Sequence, residues 1–213
     1  MLKIAHRGYS HKYIDNSIDA FIGAIEEGFD MIETDIQLCK NNDIVVFHDN
    51  MINNKEIIDM TLLELEELGI ISLKTFFNLI DTLYIEVYLD LKGTSQLANM
   101  LIEFIYNNDD IIYLPNISIA SFNRNMLHII KNSGLCVKLG YITSSNYTDQ
   151  EWCLLTHIVD FVSMSAEQLN HETIHYLHTL NKYIFAYTCR NMNGLKYIKQ
   201  FDIDGIVSNI VIE

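Results

Sequence analysis

Strand-like and helix-like segments alternate about eight times along this chain, and that alternation predicts a compact parallel (β/α)8 barrel. The length agrees: 213 residues lies close to the usual lower size of such a barrel, roughly 200. The runner-up, an open doubly wound sheet, is disfavoured because no G-x-G-x-x-G follows the first strand.

The eight strand candidates lie near residues 2–6, 30–36, 85–91, 116–120, 136–141, 158–163, 183–187 and 204–207. Residues 43–48 add a ninth, read as a partner beside the second. Ser17 to Glu27 reads as an amphipathic helix, with Ile18, Phe21, Ile22 and Ile25 on one side. Thr61 to Leu68, Thr94 to Tyr106, Asn123 to Asn132, Ala166 to Leu180 and Asn191 to Gln200 follow the same logic. Gly93 and Gly134 fall where strand or helix ends want a glycine. The stretch from Asp49 to Leu83 shows no regular strand–helix unit. It reads as a short irregular segment, with one or two helices, between the second and third barrel strands. No linker, low-complexity tract or internal repeat divides the chain, so residues 1–213 read as a single barrel domain.

Nearly half of the residues are hydrophobic, enough for a substantial core. The net charge of −14 argues against nucleic acid, which needs clustered Lys and Arg, and against broad adhesion to anionic membranes. Cys39, Cys136, Cys153 and Cys189 show no C-x-x-C spacing and read as free thiols of a reducing compartment. The N-terminus opens directly on a strand without a signal-peptide pattern, and no apolar run is long enough to be a transmembrane segment. The expectation is a cytoplasmic protein.

Charged residues punctuate the apolar strands. His6-Arg7-Gly8 ends the first, Glu33 and Asp35 sit two apart on the second, and His48-Asp49 ends the 43–48 segment. Asp90 and Lys92 sit two apart on the third barrel strand. Residues i and i+2 of a strand share a face, so each pair points one way. Carboxylates on segments this apolar are costly unless paired or holding a metal. In a barrel, sites lie at the C-terminal ends of the strands, where His6, Glu33, Asp35 and Asp90 fall. Three acids, two histidines, an arginine and a lysine gathered there read as a metal-dependent phosphate-ester site.

The ordered motifs resemble the glycerophosphodiester phosphodiesterase family over the whole chain. His6-Arg7-Gly8 matches its opening motif, Glu33-Thr34-Asp35 its metal-binding E-x-D, and His48-Asp49 its second histidine motif. Asp15-Asn16-Ser17 is similar to its Glu-Asn-Thr, and Asp90-Leu91-Lys92 to its Glu-x-Lys. Ser121-Phe122, Tyr187-Thr188 in place of Trp-Thr, and Asp204-Gly205-Ile206 with Ser208-Asn209 complete the series. Three departures stand out. Asp90 is one methylene shorter than Glu, Tyr187 changes the size of an aromatic wall, and Asn209 replaces a closing acid.

The resemblance implies hydrolysis of a glycerophosphodiester to glycerol 3-phosphate and an alcohol. An adjacent substrate hydroxyl would attack, through a cyclic phosphate. His6 and His48 would divide the acid and base roles. Glu33, Asp35 and Asp90 would hold one divalent cation, and all-oxygen ligation suits Mg2+ or Ca2+. Arg7 and Lys92 would bind phosphate oxygens, with Tyr187 and Asn16 on the substrate side. Asn16 also fits the N-cap of the first helix. The Asp-Leu-Lys variant is also similar to sphingomyelinase D-like and lysophospholipase D-like barrels, so lysophospholipids stand beside soluble glycerophosphodiesters as substrates. A non-catalytic barrel that binds a phosphorylated ligand is the other alternative. His171, His175 and His178 share a helix face with no acid or cysteine to complete a metal site, and read as surface or packing groups.

Overall fold

The described residues of the computed structural model, 1–212, form eleven strands and eight α-helices. In chain order these are β1 (Leu2–His6), α1 (Ile18–Glu26), β2 (Met31–Leu38), β3 (Ile44–Val46), β4 (Met51–Ile52), β5 (Lys55–Glu56), α2 (Leu62–Glu66), α3 (Leu73–Leu79), β6 (Glu86–Leu91), α4 (Gln96–Tyr106), β7 (Ile117–Ser121), α5 (Arg124–Ser133), β8 (Lys138–Thr143), α6 (Asp149–Thr156), β9 (Phe161–Ser165), α7 (His171–Thr179), β10 (Tyr183–Cys189), α8 (Met192–Ile198) and β11 (Gly205–Ser208). Parallel pairing runs β1–β2–β6–β7–β8–β9–β10–β11 and returns from β11 to β1, where Leu2 faces Gly205 and Ile4 faces Val207. The sheet is thus a closed eight-stranded barrel, as the alternation predicts.

The other three strands lie in the segment between β2 and β6. β3 pairs antiparallel with the C-terminal extension of β2, Ile36 opposite Val46 and Leu38 opposite Ile44. The chain therefore doubles back toward the barrel mouth, and the Phe47 amide donates to the Asp35 carbonyl at 3.0 Å. β4 and β5 form a small hairpin. This segment has its own small core of Cys39, Val45, Ile57, Met60, Leu65 and Ile70. It is more regular than the sequence alone shows, with two helices as well as the strands.

Alternation of side chains along each strand builds two cores. One face of the barrel packs outward against the helices, through Ile32, Ile36, Val87, Leu89, Ile117 and Ile119 among others. The other fills the lumen with Ile4, Met31, Tyr88, Phe161, Phe185 and Val207. The Phe161 and Phe185 rings lie 4.7 Å apart, and the Tyr88 and Phe161 rings 5.5 Å in a T-shape. Space for Phe161 comes from Gly140, where a Cβ would fall 2.2 Å from the ring.

Helix ends follow local chemistry. Ser17 caps α1 through the Ala20 amide, and Gly134 ends α5 with φ of 78°. α6 was not expected; its apolar Leu154 and Leu155 are adjacent rather than helically spaced, but Thr148 and Glu151 close a full capping box. The single helix expected over 166–180 is divided. A 3-10 turn at Ala166–Gln168 precedes Asn170, whose side chain accepts from the Thr173 amide at 2.8 Å and starts α7 afresh. Among the described residues no helix is long and apolar enough to cross a membrane.

Candidate active site

The site begins at the end of β1. His6 faces Glu33 across the β1–β2 pairing, and Asp35 faces Asp90 across β2–β6. Lumen-facing positions two apart thus bring Glu33, Asp35 and Asp90 together, 3%, 2% and 7% exposed. One carboxylate oxygen from each lies within 4.8 Å of the others. After His6 the chain turns through left-handed conformations at Arg7 (φ 56°) and Gly8 (φ 75°). A Cβ at Gly8 would fall 2.6 Å from the Ala20 carbonyl carbon of α1, so the turn needs glycine. The turn aims the Arg7 amide at Glu33, which accepts at 2.8 Å.

Two cations neutralise part of the cluster. The Arg7 Nε lies 3.1 Å from Asp35 Oδ2, and Arg7 Nη1 lies 3.0 Å from the exposed Asp15. Lys92 Nζ lies 3.1 Å from Asp35 Oδ1 and donates to Asp90 Oδ2 at 2.5 Å. Asp90 Oδ1 is buried without a hydrogen-bond partner. Burial, then the charges of Asp35 and Asp90, push the Glu33 carboxyl well above its ordinary value. Burial pushes Asp90 up to about 6, despite Lys92. Burial opposes ionisation of Asp35 as well, but Lys92, Arg7 and the Asn16 amide outweigh it and hold this carboxyl low. Burial alone would lower Lys92, but Asp90 and Asp35 raise it.

Three buried acids against two cations leave one acid without a cation of its own and one orphaned oxygen. All three donors are oxygens. Such a set fits a hard divalent cation, which takes carboxylate ligands and would satisfy Asp90 Oδ1.

The two histidines flank the acids from different elements. His6 Nδ1 lies 2.7 Å from Asn209 Oδ1, which ties the end of β1 to the residue just past β11. Burial, reinforced by Arg7, lowers the His6 imidazole to about 4. A neutral ring that donates from Nδ1 to the Asn209 carbonyl leaves an Nε2 lone pair free. His48 is more exposed and its Nδ1 bonds Asp49 at 2.7 Å. Asp49 thus orients the His48 ring. Gln37 pins that loop, its amide donating to the Phe47 and Asp49 carbonyls at 2.8 and 2.9 Å.

A cavity of about 270 Å³ opens at the C-terminal mouth of the barrel. His6, Arg7, Glu33, Asp35, His48, Asp90, Lys92 and Tyr187 all line it, so eight of the expected site residues converge. The Tyr187 hydroxyl donates to the Thr143 carbonyl at 3.0 Å, and its ring meets Phe122 edge-on at 6.3 Å. Asn16 departs from both expectations. Ser17 is the cap, and Asn16, in a left-handed conformation (φ 57°), turns inward instead. Its amide donates to Asp35 at 3.0 Å while its carbonyl accepts from the Thr34 hydroxyl at 2.8 Å. It holds a carboxylate rather than facing the cavity.

Gln37, Asn209, Phe122 and Arg190 were not among the expected site residues. Gln37 left a faint signal, a polar residue on the lumen-facing run of an apolar strand. Arg190, an exposed loop residue, left none. At the other end of the chain, His178 Nε2 lies 3.1 Å from Asp204 and the His171 ring packs 4.8 Å from Phe201. These are packing and pairing roles, and Glu33, Asp35 and Asp90 form the one metal-competent cluster among the described residues.

The profile of the "Glycerophosphoryl diester phosphodiesterase family" matches residues 6–213. YhdW of Bacillus subtilis, provisionally named a glycerophosphodiester phosphodiesterase, is 25% identical over 98% of this chain and 94% of its own length. A glycerophosphodiester phosphodiesterase of Caldanaerobacter subterraneus is 44% identical over 72 residues, 32% of this chain and 30% of that protein. Among solved structures, the Thermotoga maritima glycerophosphodiester phosphodiesterase superposes with a TM-score of 0.82 at 23% identity, over 99% of this chain and 95% of that one. An Oleispira antarctica phosphodiesterase, solved with its product sn-glycerol-3-phosphate, gives 0.86 at 21% identity, over 99% and 94%. At these identities the structures show the shared fold.

Proposed function

We propose that this chain, which belongs to the glycerophosphoryl diester phosphodiesterase family, hydrolyses glycerophosphodiesters to glycerol 3-phosphate and an alcohol, with the aid of one divalent cation. The observation that carries the reading is the cluster of Glu33, Asp35 and Asp90 with its orphaned Asp90 oxygen, set between two histidines in one cavity. Those three carboxylates would hold Mg2+ or Ca2+. The ion, when bound, would neutralise charge on a phosphoryl oxygen.

The protein's own groups have separable tasks. Lys92 and Arg7 position Asp35 and Asp90 and place positive charge beside the phosphate. His6 is neutral at working pH, and its free Nε2 accepts the proton of the attacking substrate hydroxyl. That oxygen bonds to phosphorus as the phosphorus–alkoxide bond breaks. His48, its ring fixed by Asp49, delivers a proton to the departing alkoxide. Water then opens the cyclic phosphate with the two histidines in reversed roles. The buried, largely apolar floor beneath, with Tyr88 and Ile142, limits the water that reaches the phosphorus.

The test is turnover of glycerophosphocholine and lysophosphatidylcholine by the purified protein with Mg2+, Ca2+ or EDTA, alongside His6→Ala. Expected is release of glycerol 3-phosphate that needs the metal and falls by about 10²–10⁴-fold in the variant. Cyclic phosphate from the lysolipid alone would favour the phospholipase D-like alternative. No turnover of either substrate with either metal would overturn the reading.

A further inference from the structure

The cations of the cavity are not equivalent. Arg7 is committed to Asp35 and Asp15, and Lys92 to Asp35 and Asp90. Arg190, on the loop that leaves β10, also lines the cavity. It is exposed and has no hydrogen bond or ion pair to any described residue. In a chain with a net charge of −14, an uncommitted guanidinium at an active-site mouth stands out.

The pairing says what it faces. Arg7 and Lys92 are already bound to carboxylates, so of the three cavity cations Arg190 is the one left to meet an anionic group of the substrate. The deep cations sit beside the acids, where the scissile phosphate belongs, and the exposed Arg190 lines the cavity on its solvent side, the side from which an alcohol leaves. The aromatic pair Phe122 and Tyr187 would otherwise invite a quaternary ammonium, as aromatic rings do. Here Lys92 Nζ already stands 5.8 Å from the Phe122 ring, so an ammonium would meet like charge on that side.

We infer that Arg190 is a specificity residue that binds an anionic group, a phosphate or carboxylate, on the alcohol half of the diester. The inference rests on the hydrolase reading above and narrows its substrate class to diesters whose alcohol is itself anionic. A planar guanidinium suits such a group because it donates two parallel hydrogen bonds.

The test compares a matched pair of substrates, glycerophosphoglycerol and the same diester carrying a terminal phosphate, with glycerophosphocholine as the cationic contrast. The readout is the ratio of kcat/KM for the phosphorylated to the unphosphorylated diester. In the wild type this ratio is expected to be about tenfold, the scale of one charge-assisted hydrogen bond at a partly exposed site. Arg190→Gln should bring it close to one, and Arg190→Lys should keep part of it. A wild-type ratio near one, a preference for glycerophosphocholine, or a ratio unchanged in Arg190→Gln overturns the inference while leaving the hydrolase reading intact. Failure of all three diesters with both metals would instead remove the hydrolase reading, and this inference with it.

Discussion

The two halves of the barrel lumen are made by the same strands and hold opposite chemistry. On β2 Met31 faces the lower half, and Glu33 and Asp35 face the upper. On β6 Tyr88 precedes Asp90, and on β1 Ile4 precedes His6. A step of two residues, about 7 Å, keeps the same face and changes the environment from packed rings to carboxylates. The lower half is closed by contact among Phe161, Phe185, Tyr88 and Met31. The upper half is held by ion pairs and leaves Asp90 Oδ1 unpartnered. The lesson is that one half supplies stability while the other spends some of it on a charged site.

The sharpest way to separate the halves is Glu33→Gln. It removes a carboxylate whose ionisation is opposed by burial and two neighbouring acids. Turnover should fall on the order of a thousandfold, the scale of losing one preorganised electrostatic group at a reacting phosphate. The metal-free protein should become more resistant to urea, because a buried carboxyl that folding must either leave charged or protonate is gone, and the amide oxygen can still accept from the Arg7 amide. Urea melts in EDTA check the second half of the claim. A less stable variant would mean that Glu33 holds the mouth together as well.

Phe161→Ala tests the lower half. The side chain is 1% exposed and packs against the Phe185 and Tyr88 rings. Its truncation should cost about 3–5 kcal/mol, from lost burial and the cavity left behind. Urea denaturation measures it. A cost below about 1 kcal/mol would show that the lower half collapses freely and is no stability core.

Much of this division is legible in the sequence, because strand alternation is local. Glu33 with Asp35, and Asp90 after Tyr88, show the upper site by alternation alone. Convergence is not local. Asn209 reaches His6 across 203 residues, and only barrel closure through the β11–β1 pairing makes them neighbours. Asn16 was misplaced because an asparagine before a helix is a good cap, and nothing in the sequence reports that its left-handed backbone turns the side chain toward Asp35. α6 was missed for a different reason. Its apolar residues lack helical spacing, although its Thr-x-x-Glu capping box was readable. Gln37 and Arg190 act through loops, whose paths hydrophobic patterning does not encode.

A smaller effect joins the two ends of the chain through His6. Burial and Arg7 hold its imidazole near 4, and the Asn209 bond and the charges of Asp35 and Asp15 only partly offset them. The unfolded chain gains that proton as pH falls through about 6.5, whereas the folded one waits until about 4. Across that window the unfolded state binds more protons, so His6 costs stability as pH falls, by up to about 3 kcal/mol. Glu33 and Asp90 act in the opposite sense. Their raised carboxyls take protons first in the folded state, Asp90 at about 6, and so add stability as pH falls. The bare pH profile therefore mixes opposing contributions. His6→Gln removes only one of them. In EDTA, the unfolding free energy of wild type minus that of His6→Gln should decline by about 2–3 kcal/mol between about pH 7.5 and about pH 4.5, read from urea melts. A difference that stays flat would mean that His6 accepts a proton in the folded state as readily as in the unfolded one. The mouth of the barrel would then be wetter than its packing implies, and the neutral His6 base assigned to the reaction would lose its support.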